Sequence, residues 1–320
     1  MNFLFFANLF LSGMMYMNMQ SKGLMFAVYT ALLWGFLAIG LEVTFGWVDS
    51  ITVVWVRFVV AFMILSIWLL ITGRKSFSIF RKPPPLIFVA AIFLGLNYFG
   101  FMEGLHNTSP SNAQIFIQLG PVTFALVGIF IYKEKVTWRS YAGLALVLSG
   151  LFLFYYNQLP GLRGMEGEYK KGITLIIAGA FCWAAFASFQ KKLVSKWDAN
   201  QLNLMIYAIC SLLFLPAADF SKLIQLNFGQ WLLLISLGLN TVLSYGFLAV
   251  AIKYADANKV SVVITLNPII TFVTMTILGL MHVSWIDPEN FNVYSIIGAF
   301  VALAGAIMTI LSRNKNTQGI

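Results

Sequence analysis

The tightest constraint on this chain is the succession of apolar runs about 20 residues long between Gly23 and Ser312. That is the length a helix needs to cross the ~30 Å hydrocarbon core of a bilayer. Ten such runs can be laid out, at 23–43, 51–72, 86–105, 111–132, 138–156, 173–193, 200–220, 230–254, 258–282 and 291–312. They predict an all-α membrane protein of ten transmembrane helices.

Composition closes off the alternatives. Only 10% of the residues are charged and 60% are hydrophobic, whereas a soluble domain carries about 25% charged residues. No polar stretch is long enough for a separate soluble domain. The net charge of +9 is scattered through short loops, so it speaks for membrane orientation and not for nucleic acid. Fifteen of the 20 basic residues fall in one set of loops and four in the alternate set, with Arg57 inside a span. By the positive-inside rule both termini face the cytoplasm, and the expected location is the cytoplasmic (inner) membrane. Residues 1–21 read as an N-terminal extension. They are apolar, yet they lack the positive n-region and the small-residue cleavage site of a secretory signal.

Two of the runs contain a proline where a helix should not be interrupted: Gly120-Pro121 in the fourth and Asn267-Pro268 in the ninth. In a membrane such a helix kink is tolerated where neighbouring protein or a water-filled cavity satisfies the freed backbone. The two belong to a longer repeat. Lys22-Gly23 precedes Trp34 as Lys171-Gly172 precedes Trp183, and Tyr98 stands as far before Pro121 as Tyr245 does before Pro268. Ser140-x-x-Gly143 with Gly150 then matches Ser295-x-x-Gly298 with Gly305. The polar segment 157–171 is the linker between a first half, 22–156, and a second half, 172–313. Each half holds five spans, an odd number, so the halves are expected in opposite orientations. Two inverted five-helix repeats are an architecture of secondary transporters, with the substrate site near the midplane.

With these residues in place the chain resembles the drug/metabolite transporter superfamily, as a permease with two EamA-type domains. The resemblance rests on Trp34-Gly35, Arg57 and the series Gly120-Pro121, Glu134, Gly143 and Gly150, echoed by Trp183, Asn267-Pro268, Gly298 and Gly305. It implies a ten-helix secondary transporter of small metabolites or amino acids, an exporter working by alternating access without a cofactor. It also implies an acidic residue after the ninth span to match Glu134, but here that place reads Met281-His282-Val283.

Candidate site residues cluster around the two kinks. Asn112, Gln114 and Gln118 precede Pro121, and Gln114 and Gln118, four apart, share one helix face. With Asn267 they are candidates to line a substrate cavity, as are the aromatic residues Trp34, Tyr98, Trp183, Tyr207 and Tyr245, which suit flat or apolar molecules. Asn97, Asn240 and Ser244 are weaker candidates. Arg57, Glu42 and Glu103 lie towards the outer ends of their helices and form a candidate charge cluster, since a buried charge needs a partner or water. Gly100-x-x-x-Gly104 and the series Gly298, Ala302 and Ala306 favour close helix approach, within the chain or between copies, so no oligomeric state follows. The expected partners are the lipid bilayer and a small-molecule substrate.

An enzyme reading finds no reactive constellation. The two histidines, His106 and His282, stand apart, and HExxH, CxxC and phosphate-loop motifs are missing. No metal site is expected, and Cys182 and Cys210 fall inside apolar runs. Efflux of hydrophobic compounds by the same fold is the leading alternative. A channel and an intramembrane enzyme are further ones, though no ring of charge marks a filter.

Overall fold

The computed structural model describes residues 18–72, 74–108, 110–154, 156, 167–283 and 293–311. The described residues are helical, with no strand. The principal helices are α1 (Met19–Glu42), α2 (Ser50–Thr72), α3 (Leu86–His106), α4 (Pro110–Phe116), α5 (Leu119–Phe130), α6 (Trp138–Phe154), α7 (Glu168–Val194), α8 (Ala199–Phe214), α9 (Phe228–Tyr254), α10 (Ala257–Ile264), α11 (Asn267–Leu280) and α12 (Val293–Leu311). Among the described residues, seven stretches are long and apolar enough to cross a membrane: α1, α2, α3, α7, α9, Ala199–Ala217 and Ala257–Leu280. Three further apolar helices are shorter, Leu119–Phe130, Trp138–Phe154 and Ile296–Thr309. The first is short because the helix breaks just before it.

Helix ends follow local chemistry. Asn18 caps α1, its side chain accepting from Ser21 N at 2.8 Å, so the helix starts four residues earlier than the apolar run at Gly23. Asp198 caps α8 in the same way. Asn227 and Gln230 form a reciprocal capping box on α9, which satisfies two otherwise orphaned amides. Residues 1–17, most of the linker and the chain beyond Leu311 lie outside the described residues.

Without water between the helices, packing rests on close backbone approach. The tightest pairings are α3 with α7 and α6 with α12, followed by α1 with α9. Glycines set the first two. A Cβ on Gly143 would fall 2.6 Å from Gly305 O, and one on Gly150 would fall 2.7 Å from Gly298 O. Across the other pair, a Cβ on Gly100 would fall 2.6 Å from Leu175 O and one on Gly104 would fall 2.8 Å from Gly172 O. Both small-residue faces are thus spent inside the chain, with Ala302 and Ala306 buried beside them. The outward surface stays apolar: Ile71, Phe130, Phe228, Phe300 and Leu311 are among many large exposed hydrophobic residues. Such a surface belongs in lipid.

Candidate functional site

The fourth and ninth segments are interrupted, but not at the prolines. α4 gives way to α5 at Ile117-Gln118, and α10 gives way to α11 at Thr265-Leu266. A proline ring collides with the carbonyl four residues earlier. For Pro121 that carbonyl belongs to Ile117, and for Pro268 to Ile264, so each helix parts upstream of its proline. Both breaks close with short-range bonds, Gly120 N to Ile117 O at 2.9 Å and Leu266 N to Val263 O at 3.2 Å. Gly120, Pro121 and Pro268 therefore stand in the first turn of the next segment, where a missing amide hydrogen is harmless. The expectation of kinks at Gly120-Pro121 and Pro268 is corrected by that displacement.

The breaks are bonded to each other. Gln118 donates Nε2 to Asn267 Oδ1 at 2.9 Å and also to Gln114 O at 3.0 Å. Beside this bond lies a cavity bordered by α1, α2, α3, α5, α7, α9 and both breaks. Trp34, Trp183 and Tyr245 form an edge-to-face cluster on its wall, with Trp34 centred 5.7 Å from Trp183 and 5.5 Å from Tyr245. Tyr98, Gln114, Gln118 and Asn267 complete the sequence-expected members that line it. Asn97 lines it too and donates to Gly179 O at 3.0 Å.

Two expectations come out differently, and a third falls outside the described residues. Tyr207 is buried but does not line the cavity, because its hydroxyl donates to Thr241 O at 3.3 Å and its ring faces Phe58. The Asn112 side chain lies outside the described residues. The charge cluster does not assemble around Arg57: no ion pair joins it to Glu42 or Glu103 among the described residues. Its guanidinium turns to the cavity instead, donating from Nε to Thr241 Oγ1 and from Nη2 to Tyr98 OH, both at 3.3 Å. It also lies 4.5 Å from the centre of the Tyr98 ring, within reach of a cation–π contact. Thr241 gave no sequence signal, since one threonine in an apolar helix looks like many others. Among the described residues, no cluster of His, Cys, Asp and Glu could hold a metal ion.

Comparison with known proteins assigns the architecture. The EamA-like transporter family matches residues 21–156 and again 170–311. The chain belongs to this family. A protein of Haemophilus influenzae named as an uncharacterized transporter is 34% identical over 292 residues, 90% of this chain and 94% of that one. The uncharacterized inner membrane transporter YhbE of Escherichia coli K12 is 31% identical over 90% of this chain and 91% of its own. A chain of known crystal structure superposes with a TM-score of 0.71 over 91% of this chain and 97% of its own, at 16% identity, which attests the fold. This EamA-family chain is thus a multi-pass membrane protein with bacterial transporters as relatives.

In this EamA protein Glu134 is the acidic residue after α5, and its role is geometric. The carboxylate reaches the start of α10, accepting from Ala257 N at 2.8 Å and Asn258 N at 3.2 Å. Negative charge is favourable at a helix N-terminus, and Asp256, the residue in the cap position, makes no cap bond with its own side chain. Lys191, near the end of α7, pairs with Glu134 at 3.1 Å and donates to Ala255 O at 3.3 Å. Gln20 of α1 donates to Asp256 Oδ2 at 2.8 Å. Four helix ends from both EamA repeats are thereby tied together at the lysine-rich end of the molecule. Sequence reading saw Glu134 only as a family marker, because its partners are mostly backbone amides.

Proposed function

We propose that this protein is a secondary transporter, an exporter of small metabolites or amino acids. It works by alternating access between two inverted five-helix repeats, ten spans in all, with both termini in the cytoplasm. The observation that carries the reading is the bond between Gln118 and Asn267, which joins equivalent helix breaks of the two repeats at the edge of a cavity. The pairing pattern supports inversion: α6 meets its counterpart α12, α2 meets its counterpart α8, and α3 with α7 mirrors α9 with α1. The aromatic cluster of Trp34, Trp183 and Tyr245 favours a second reading, efflux of hydrophobic compounds.

Counterflow in proteoliposomes tests the carrier. Saturable exchange is expected, and flux linear in concentration would indicate a pore instead. Gln118→Ala should lower exchange far more than Phe130→Ala, because Phe130 is 74% exposed on the outer face. Equal effects would refute the cavity as the route.

A further inference from the structure

Between Asp49 and Glu103 the sequence holds no acidic residue, yet Arg74, Lys75, Arg81 and Lys82 crowd the connection from α2 to α3. That connection is built, not loose. Residues Arg74–Phe80 form a 3₁₀ helix that packs against α2 and α8. Ile79 is buried, and Phe77 is half-buried against the same core. Arg81 N donates to Ser78 O at 3.1 Å and closes the turn. Pro83-Pro84-Pro85 then leads into α3, with Pro84 O and Pro85 O accepting from Ile87 N and Phe88 N. Proline fixes its own φ, so Arg81 and Lys82 are held between a docked helix and a stiff triplet.

The outer side of this turn joins an aromatic ring to free cations. Phe80 is 40% exposed, its ring stacked on Phe77 with centroids 6.4 Å apart. Arg81 and Lys82 are exposed beside it, and neither has an ion pair among the described residues. Lys192 and Lys196, also exposed, stand just before α8, the helix on which the 3₁₀ helix packs. The acid that follows them, Asp198, is spent on capping α8. Exposed Leu70 and Ile71 at the end of α2 lead into the segment, so it lies where the bilayer meets water. Basic residues there attract anionic lipids, and a guanidinium can hold a phosphate through two parallel hydrogen bonds. Setting orientation needs only a count of charges, whereas a docked, aromatic-flanked pair offers a place for one headgroup. We propose that Phe80, Arg81 and Lys82 form a binding site for an anionic phospholipid in the leaflet at the lysine-rich end. The two cations hold the phosphate, and Phe80 packs on the upper part of the acyl chain. The site is separate from the central cavity and does not depend on what that cavity carries.

The test uses the full-length protein in phosphatidylcholine nanodiscs at fixed ionic strength. A fluorophore is attached to Ser78→Cys, an exposed position, in a background without Cys182 and Cys210. Part of the lipid is replaced by phosphatidylglycerol, or by phosphatidylcholine, carrying a nitroxide quencher high on the acyl chain. Labelled phosphatidylglycerol should quench saturably at low mole fraction, and labelled phosphatidylcholine only in proportion to its share of the bilayer. Arg81→Gln should raise the mole fraction for half-maximal quenching roughly fivefold, the effect of one basic residue at an anionic surface. Adding Lys82→Gln should abolish saturation. Lys133→Gln with Arg139→Gln, two exposed cations elsewhere at the same end, should leave the curve unchanged. Equal quenching by both lipids would overturn the proposal. So would an equal loss in the Lys133 and Arg139 pair, since a diffuse surface potential would then suffice. Relief of quenching by millimolar glycerol phosphate would also overturn it, by showing a site for free phosphate. Should the labelled variant fail to fold, native mass spectrometry of the unlabelled protein decides: phosphatidylglycerol should be retained over phosphatidylcholine, and the preference should vanish in the Arg81→Gln, Lys82→Gln variant.

Discussion

Removing the Glu134 carboxylate should loosen the lysine-rich end of the molecule far more than a loop substitution would. Its side chain is 8% exposed and that of Lys191 is 17% exposed, so solvent screens the pair only weakly. Glu134→Ala leaves two amides of α10 without acceptors and Lys191 without its countercharge. Breaking a buried pair from one side costs about 3–5 kcal/mol. Lys191 keeps its bond to Ala255 O, so we expect the lower end, about 3 kcal/mol. Glu134→Gln can still accept from Ala257 N but loses the charge, and about 1–2 kcal/mol should follow.

The bonds of Glu134 link one EamA repeat to the other, so most of this energy should bear on a single conformation, the one in which these helix ends are closed. A bias of about 3 kcal/mol corresponds to roughly a hundredfold change in the population of two states. Ile264, at the end of α10 and on the cavity wall, is a suitable reporter. In a background without Cys182 and Cys210, an Ile264→Cys variant is labelled by a membrane-impermeant thiol reagent applied from the lysine-rich side. Glu134→Ala should raise the labelling rate at least about tenfold, since 1.4 kcal/mol already suffices for that factor. Lys191→Ala should raise it less, and the double variant should fall short of the sum by about 1 kcal/mol or more, the signature of direct coupling. A lower melting temperature with unchanged labelling would refute the reasoning, because Glu134 would then brace the fold equally in every conformation.

Two further outcomes follow from the packing and from the titration of the same region. Gly150→Ala should destabilise the protein by about 1–3 kcal/mol, as overpacking does, because the added Cβ meets the backbone of α12. Gly246→Ala, in α9 with nothing within 4 Å, should leave the melting temperature unchanged or higher, since alanine is the better helix former. Burial, and then the neighbouring Glu134 carboxylate, push the Asp256 carboxyl above its usual range. The folded state therefore binds that proton more tightly than the unfolded state, and stability falls as pH rises from about 4, the ordinary aspartate value, through the raised one. Asp256→Asn keeps the acceptor for Gln20 and removes this penalty. It should melt higher than the unaltered protein near pH 7, with the difference vanishing towards pH 4; a constant difference would exclude the titration.

How much of this was legible in the sequence depends on whether the deciding force is local. The apolar runs need only their own length, so the long spans could be read directly, and the matched prolines marked where backbone would be freed. The position of each break was misjudged because the proline acts on a carbonyl four residues away, shifting the opening to Ile117-Gln118 and Thr265-Leu266. Arg57 was seen to need a partner, but its depth in α2 could not reveal that Tyr98 of α3 and Thr241 of α9 would be nearer than Glu42 or Glu103. The bond between Gln118 and Asn267 spans 149 residues, and no periodicity within a helix encodes it. Glu134 is the sharpest case, since a carboxylate that caps a distant helix leaves its mark only in a cap position whose own side chain makes no cap bond, here Asp256. The second repeat carries His282 where that carboxylate would recur. In the proposed alternating-access cycle, Glu134 would favour the state with the lysine-rich end closed.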